Sequence, residues 1–134
     1  MKLNSTRIGK RIRSTGRSEK VLREVMQQLD ARQSTIVFAI YLDSQLRLLE
    51  ARVVSIGTRT EAPVDMPCVF RPALMLNASQ LILAHTHPSG DLTFCEEDVA
   101  LTQLAIRVGE EIGIRVLDHF ILNESSFNHW HSET

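Results

Sequence analysis

The chain has few cysteines and no long apolar run. Cys68 and Cys95 are its only two cysteines, and they show no paired spacing. Nothing therefore calls for a disulfide framework, and a reducing, cytoplasmic setting suits the chain. The longest uninterrupted apolar stretch, Ile36 to Leu42, is seven residues, whereas a bilayer span needs about 20. A membrane helix is excluded, and no apolar stretch follows the basic N-terminal residues to make a secretory signal. Gly-rich phosphate loops, internal repeats and low-complexity tracts are also missing.

What is present reads as one globular domain. The 134 residues are 43% hydrophobic and 23% charged, close to globular averages. The net charge of −1 conceals a division. Residues 1 to 23 hold eight basic groups against one acid, a balance of +7, and the remaining 111 residues hold seven against fifteen, a balance of −8. Residues 1–17 have little apolar periodicity and are expected to form a basic arm, flexible unless docked, ahead of a domain over 18–134. Such an arm suits phosphates, so nucleic acid is an expected partner through residues 1–23. An Arg-rich, acid-poor start also imitates a mitochondrial presequence.

Ser18 is the expected N-cap of a first helix with Val21, Leu22, Val25, Met26 and Leu29 on its buried face. Thr35 to Leu42 reads as a buried strand, Asp43-Ser44-Gln45 as a turn, and Leu46 to Ile56 as the second strand of a hairpin ended by Gly57-Thr58. Pro67 suits the first turn of a helix reaching Asn77, with Val69, Phe70, Ala73, Leu74 and Leu76 as its core candidates. Gln80 to His87 reads as a third strand, broken by Pro88-Ser89-Gly90-Asp91. Thr93 and Glu96 have capping-box spacing and open a long helix ending near Gly113, with Leu101, Leu104, Val108 and Ile112 as its core stripe. A last strand runs from Ile114 to Leu122. The order α-β-β-α-β-α-β predicts an α/β fold, a mixed β-sheet flanked by helices.

The chemistry concentrates in His85-Thr86-His87-Pro88-Ser89-Gly90-Asp91 and the following Cys95-Glu96-Glu97-Asp98. Residues two apart on a strand project to one face, so His85 and His87 can aim two imidazoles at one point. The turn and the start of the next helix can return a carboxylate to that point. Two histidines, one carboxylate and an open fourth position make up a catalytic zinc site. Spacing leaves Asp91, Glu96, Glu97 and Asp98 all open as the third ligand. The Asp118-His119 pair can supply a carboxylate to a ligand imidazole. His129-Trp130-His131 reads as a polar tail with Trp130 docked on the domain. A zinc deaminase is disfavoured, because H-x-E and P-C-x-x-C are both missing.

HTHPSGD followed by C-E-E-D resembles the signature of the RadC family, within the JAB1/MPN/Mov34 (JAMM) metalloprotease-like domains. YLDSQLRLL, Gly57-Thr58, Asn77-Ala78 before LILAHTHPSG, and IRVLDHFIL resemble RadC elements in the same order, so the resemblance covers about residues 30 to 122. The segment resembling a helix-hairpin-helix that precedes this domain in RadC proteins is not seen here. The resemblance implies a JAB/MPN (cytidine-deaminase-like) three-layer architecture. It also implies zinc bound by His85, His87 and Asp98, a peptidase or isopeptidase type of hydrolysis, and an association with DNA repair. Two positions depart from the family pattern. Cys95 stands where JAMM hydrolases carry the serine that helps stabilise the oxyanion, and a thiol is the poorer donor. Ser34-Thr35-Ile36 carries no carboxylate where the family places its general acid/base glutamate. Glu50 and Glu97 are the candidate substitutes, and Cys95 is also a candidate fourth zinc ligand.

Overall fold

The computed structural model describes residues 1–30, 34–57, 62–87 and 90–130. Thr58, Pro88, Ser89 and His131 of the sequence motifs lie outside them. The elements are β1 (Lys2–Leu3), α1 (Thr15–Met26), β2 (Ile36–Leu42), β3 (Leu48–Ile56), α2 (Met66–Met75), β4 (Gln80–Thr86), α3 (Glu96–Ile112), β5 (Arg115–Leu122) and β6 (Phe127–His129). They form one six-stranded sheet in the order β1-β3-β2-β4-β5-β6. Only β4 and β5 run parallel, as the crossover through α3 requires, so the sheet is mixed.

Helices cover both faces, giving the three-layer α/β arrangement. β2 is buried at every position, as an all-apolar strand between two helical layers should be. On one face Val21, Leu22 and Val25 of α1 pack on Phe38, Ile40 and Leu42. On the other, Val69, Phe70 and Ala73 of α2 and Ala105 of α3 pack on Ala39, Tyr41, Leu81 and Leu83. The Tyr41 hydroxyl donates to the Val69 carbonyl at 2.6 Å, which ties α2 to the sheet.

Several sequence expectations change. Residues 1–14 do not extend from the domain as an arm. β1 pairs antiparallel with β3, Gly9 and Ile12 donate backbone hydrogen bonds to the carbonyls of Leu48 and Leu46, and Leu3 and Ile12 are buried in the α1-side core. Two apolar side chains at the right places suffice to dock a segment that has no periodicity. α1 is capped by Ser14, whose hydroxyl accepts from the Arg17 N–H, and Ser18 is instead buried within the helix. α2 ends at Met75, and Leu74 is exposed.

The inner face of α3 also differs from its expected stripe. Leu104 and Ile112 are exposed, and Thr102, Ala105 and Gly109 are buried. Small residues let the helix approach the sheet closely. A Cβ at Gly109 would sit 2.1 Å from the Ile114 carbonyl oxygen. The cap of α3 is Cys95, with Asp98 at the third helical position, in place of Thr93 and Glu96.

Candidate metal centre

His85 is the buried penultimate residue of β4, and His87 is the first residue after the strand. Ligands in open α/β sheets gather at the carboxyl ends of strands, and both histidines are there. The chain is then returned to the site by a pinned loop. Gly90 adopts φ 82°, a left-handed conformation suited to glycine. Asn123 and Asn128 donate to the Gly90 and Leu92 carbonyls at 3.1 and 3.0 Å, and the Asp91 carboxylate accepts the Thr93 N–H at 2.9 Å. This geometry sets the Asp91 carbonyl against His87 Nδ1 and delivers the first turn of α3 over the strand end.

Three donor groups converge. His85 Nε2 lies 2.9 Å from His87 Nε2 and 3.5 Å from Asp98 Oδ1, and His87 Nε2 lies 4.0 Å from Asp98 Oδ2. Among the described residues, His85, His87 and Asp98 form the group of three whose ligand atoms all lie within 4.8 Å of one another, and this group can hold a metal ion. The separations fit that role. A tetrahedral ion with bonds of about 2.1 Å sets its ligands about 3.4 Å apart. Two imidazole nitrogens at hydrogen-bond distance beside a carboxylate also need a proton or a cation between them. Imidazole donors favour a transition metal over calcium or magnesium.

Of the four acids left open by spacing, Asp98 is the one brought to the histidines. Its Oδ2 also accepts the Cys95 N–H at 3.0 Å, so the cap of α3 orients the carboxylate. Glu96 and Glu97 are exposed on the first turn, where they complement the helix dipole. Cys95 lies at the exposed cap position, outside the group of three. Burial, with Asp98 and Glu97 beside it, raises its thiol above the ordinary range. Thr35 lies buried just ahead of β2. Val37 pairs with His85, so the register continued by two residues brings Thr35 beside His87, on the same face. Glu50 is remote. It pairs with Tyr41, which pairs with Leu81, four residues or about 13 Å down β4 from His85, and it is held by Lys2 and Arg52.

The side chains behind His85 were only partly legible. His85 Nδ1 lies 2.7 Å from His119 Nε2, and His119 Nδ1 lies 2.6 Å from Thr102 Oγ1. Sequence reasoning offered the Asp118 carboxylate for this place, but Asp118 turns away to His129 Nδ1 at 2.7 Å. The cause is a bulge. Leu81 pairs with Val116 and Ile82 with Asp118, leaving Leu117 unmatched. From there on the strand's faces are exchanged, and His119 meets α3. Phe94 packs edge-on to His119 with ring centroids 5.6 Å apart, and Trp130 packs on Phe94 at 5.9 Å. Burial lowers His119 well below its ordinary value. His85 is pushed down to about 4 by burial, against the opposing pull of Asp98.

A family model described as RadC-like JAB domain matches residues 14–132. The chain belongs to this RadC-like JAB domain family. Curated RadC-family relatives carry the label UPF0758 protein. One from Thermosynechococcus vestitus is 42% identical over 96 residues, covering 71% of this chain and 38% of that protein. One from Desulforamulus reducens is 38% identical over 109 residues, covering 81% and 48%. One from Halalkalibacterium halodurans is 36% identical over 109 residues, covering 81% and 47%. The chain thus spans less than half the length of these relatives. No helix among its described residues is long and apolar enough to cross a membrane.

Proposed function

We propose that this RadC-like JAB domain is a zinc-dependent hydrolase of amide bonds, of the JAMM peptidase or isopeptidase type. The observation that carries the reading is the convergence of His85, His87 and Asp98 beside a groove of about 860 Å³, lined among others by Met26, Leu29, Thr86, His87, Gly90 and Leu122. When bound, zinc supplies a Lewis acid that polarises a carbonyl and brings the pKa of a water to about 7. The groove receives an extended segment of substrate beside His87. Asp98 and the two imidazoles would hold the ion, with the Asp91 carbonyl and His119 set against those imidazoles.

Proton transfer is the weak point of this chain. Thr35 falls where the family pattern has its general acid/base glutamate and carries no carboxylate, and a positioned acid/base is typically worth 10² to 10⁴ in rate. Thr35→Glu combined with Cys95→Ser is expected to raise cleavage of a peptide or isopeptide substrate by at least about tenfold, towards that range. The reading is abandoned if the double variant binds zinc and gains no cleavage on any substrate that a related active domain cleaves.

A second reading, a zinc-stabilised module that contacts nucleic acid, rests on a different observation. Lys10, Arg13, Arg17 and Lys20 are exposed and form no ion pair among the described residues. They fall within one short stretch of sequence, residues 10–20, at whose start Ile12 donates to the Leu46 carbonyl and the Lys10 carbonyl accepts the Leu48 N–H. Binding to duplex DNA or RNA should then weaken steeply with salt, and reversing these four charges should abolish it. Affinity indifferent to the reversal removes this reading.

A further inference from the structure

The ring of hydrogen bonds behind His85 has a direction, and it can be assigned atom by atom. Thr102 Oγ1 donates to the Asp98 main-chain carbonyl at 2.8 Å. A carbonyl only accepts, so the one hydroxyl hydrogen is spent there. The contact between Thr102 Oγ1 and His119 Nδ1 at 2.6 Å must then be made by a hydrogen on Nδ1. His119 is fully buried, with no carboxylate at either ring nitrogen, and such a ring stays neutral. Its Nε2 is therefore bare and accepts. The partner at 2.7 Å is His85 Nδ1, which must carry the hydrogen. That leaves His85 Nε2 as a free lone pair, aimed at His87 Nε2 and Asp98 Oδ1.

We infer that His119 is a positioning residue for the metal centre: through Thr102 it locks His85 in the Nδ1–H tautomer, so that Nε2 is presented to a metal ion. The inference deepens the metal-binding part of the proposed function and rests on it. His87 is set differently, by the Asp91 carbonyl at its Nδ1, so the two ligand rings are oriented by separate devices. The device on His85 is a closed loop. It starts at one ligand, passes through His119 and Thr102, and ends on the backbone of Asp98, the third ligand. Orienting partners of this kind typically carry 10- to 100-fold in metal affinity. Phe94, packed edge-on to His119, and Trp130, whose N–H donates to the His119 carbonyl at 2.8 Å, keep water from competing for the ring.

The test has two arms on the full chain. In metal-free protein near neutral pH, long-range proton–nitrogen NMR of the imidazoles should show His85 as the Nδ1–H tautomer. His85 found as Nε2–H overturns the inference, whatever the metal affinity. In the second arm, zinc affinity is measured by competition with a chelating dye. His119→Leu should weaken it 10- to 100-fold, while His119→Gln, which keeps an acceptor near the Nε2 position, should recover most of the loss. Thermal melts of the metal-free variants identify any that fail to fold, and Thr102→Val, close in shape, then carries the comparison with a smaller loss. Unchanged affinity in a folded His119→Leu, or equal losses in the Leu and Gln variants, overturns the inference. Wild-type protein that binds no zinc sinks the metal reading itself, and the tautomer arm still decides the hydrogen-bond assignment.

Discussion

The carboxylate of Asp98 accepts the backbone N–H of Cys95 at 3.0 Å through Oδ2 while its Oδ1 lies 3.5 Å from His85 Nε2. One side chain therefore starts a helix and completes a ligand set. The two roles separate by substitution. Asp98→Asn keeps an acceptor for the Cys95 N–H but loses the charge, so zinc bound per chain, read by elemental analysis, should fall from near one toward none with little change in metal-free stability. Asp98→Ala should lose the metal as well and cost about 1 kcal/mol in metal-free stability, the usual worth of a helix cap. Full zinc retention in both variants removes Asp98 from the ligand set.

Acid should destabilise the metal-free protein through its buried imidazoles. Burial drives His85 down to about 4 and lowers His119 well below its ordinary value. Between the unfolded value of 6.5 and the folded ones, the unfolded chain binds more protons, so stability is complete above about pH 6.5 and is lost as pH falls. Each such group contributes a slope approaching about 1.4 kcal/mol per pH unit in that window. Urea unfolding in chelator from pH 7 to pH 4.5 measures it, and a folded His119→Leu variant should show a shallower slope.

Gly109 should tolerate no side chain. A Cβ there would meet the Ile114 carbonyl oxygen at 2.1 Å, and that oxygen is backbone, so the turn that leads from α3 into β5 must shift. Overpacking of this kind costs about 1–3 kcal/mol or more. Gly109→Ala should lower the denaturation midpoint by that amount despite alanine's higher helix propensity. A more stable alanine variant would show that the turn at Ile114 is not pressed against Gly109.

The docked N-terminal strand makes a similar demand. Ile12→Ala, at a site buried in the α1-side core, should cost about 2–5 kcal/mol, measured by chemical denaturation. A mobile arm would register no change. Removing residues 1–12 should also uncover the β3 edge and promote association, visible by size-exclusion chromatography.

Much of the fold could be read from local chemistry. β2 announces itself as seven apolar residues, and the breaker cluster after His87 marks the turn that brings a carboxylate back. Asp98 could not be chosen by spacing, because three acids fall in the first turn of α3 and Asp91 lies in the loop just ahead of it, and cap geometry makes the choice. The core stripe of α3 was misplaced for a related reason. Leu104 and Ile112 are larger than Thr102, Ala105 and Gly109, but the helix lies too close to the sheet for large side chains to fit between them. β1 and β6 are too short to carry a period. The partner of His85 was hidden because alternation counted from Val116 assigns Asp118 to the α3 face.

Leu117 acts on β5 as a one-letter insertion acts on a reading frame. Everything after it is read in the other phase, so residues on the two sides of it must be assigned to faces by separate counts. Counted without a break from Val116, the strand would set Asp118 opposite Leu83, an acid where the fold puts the base His119. The second half of the strand is better indexed backwards from Leu122, whose pairing with Thr86 fixes the frame that His119 belongs to.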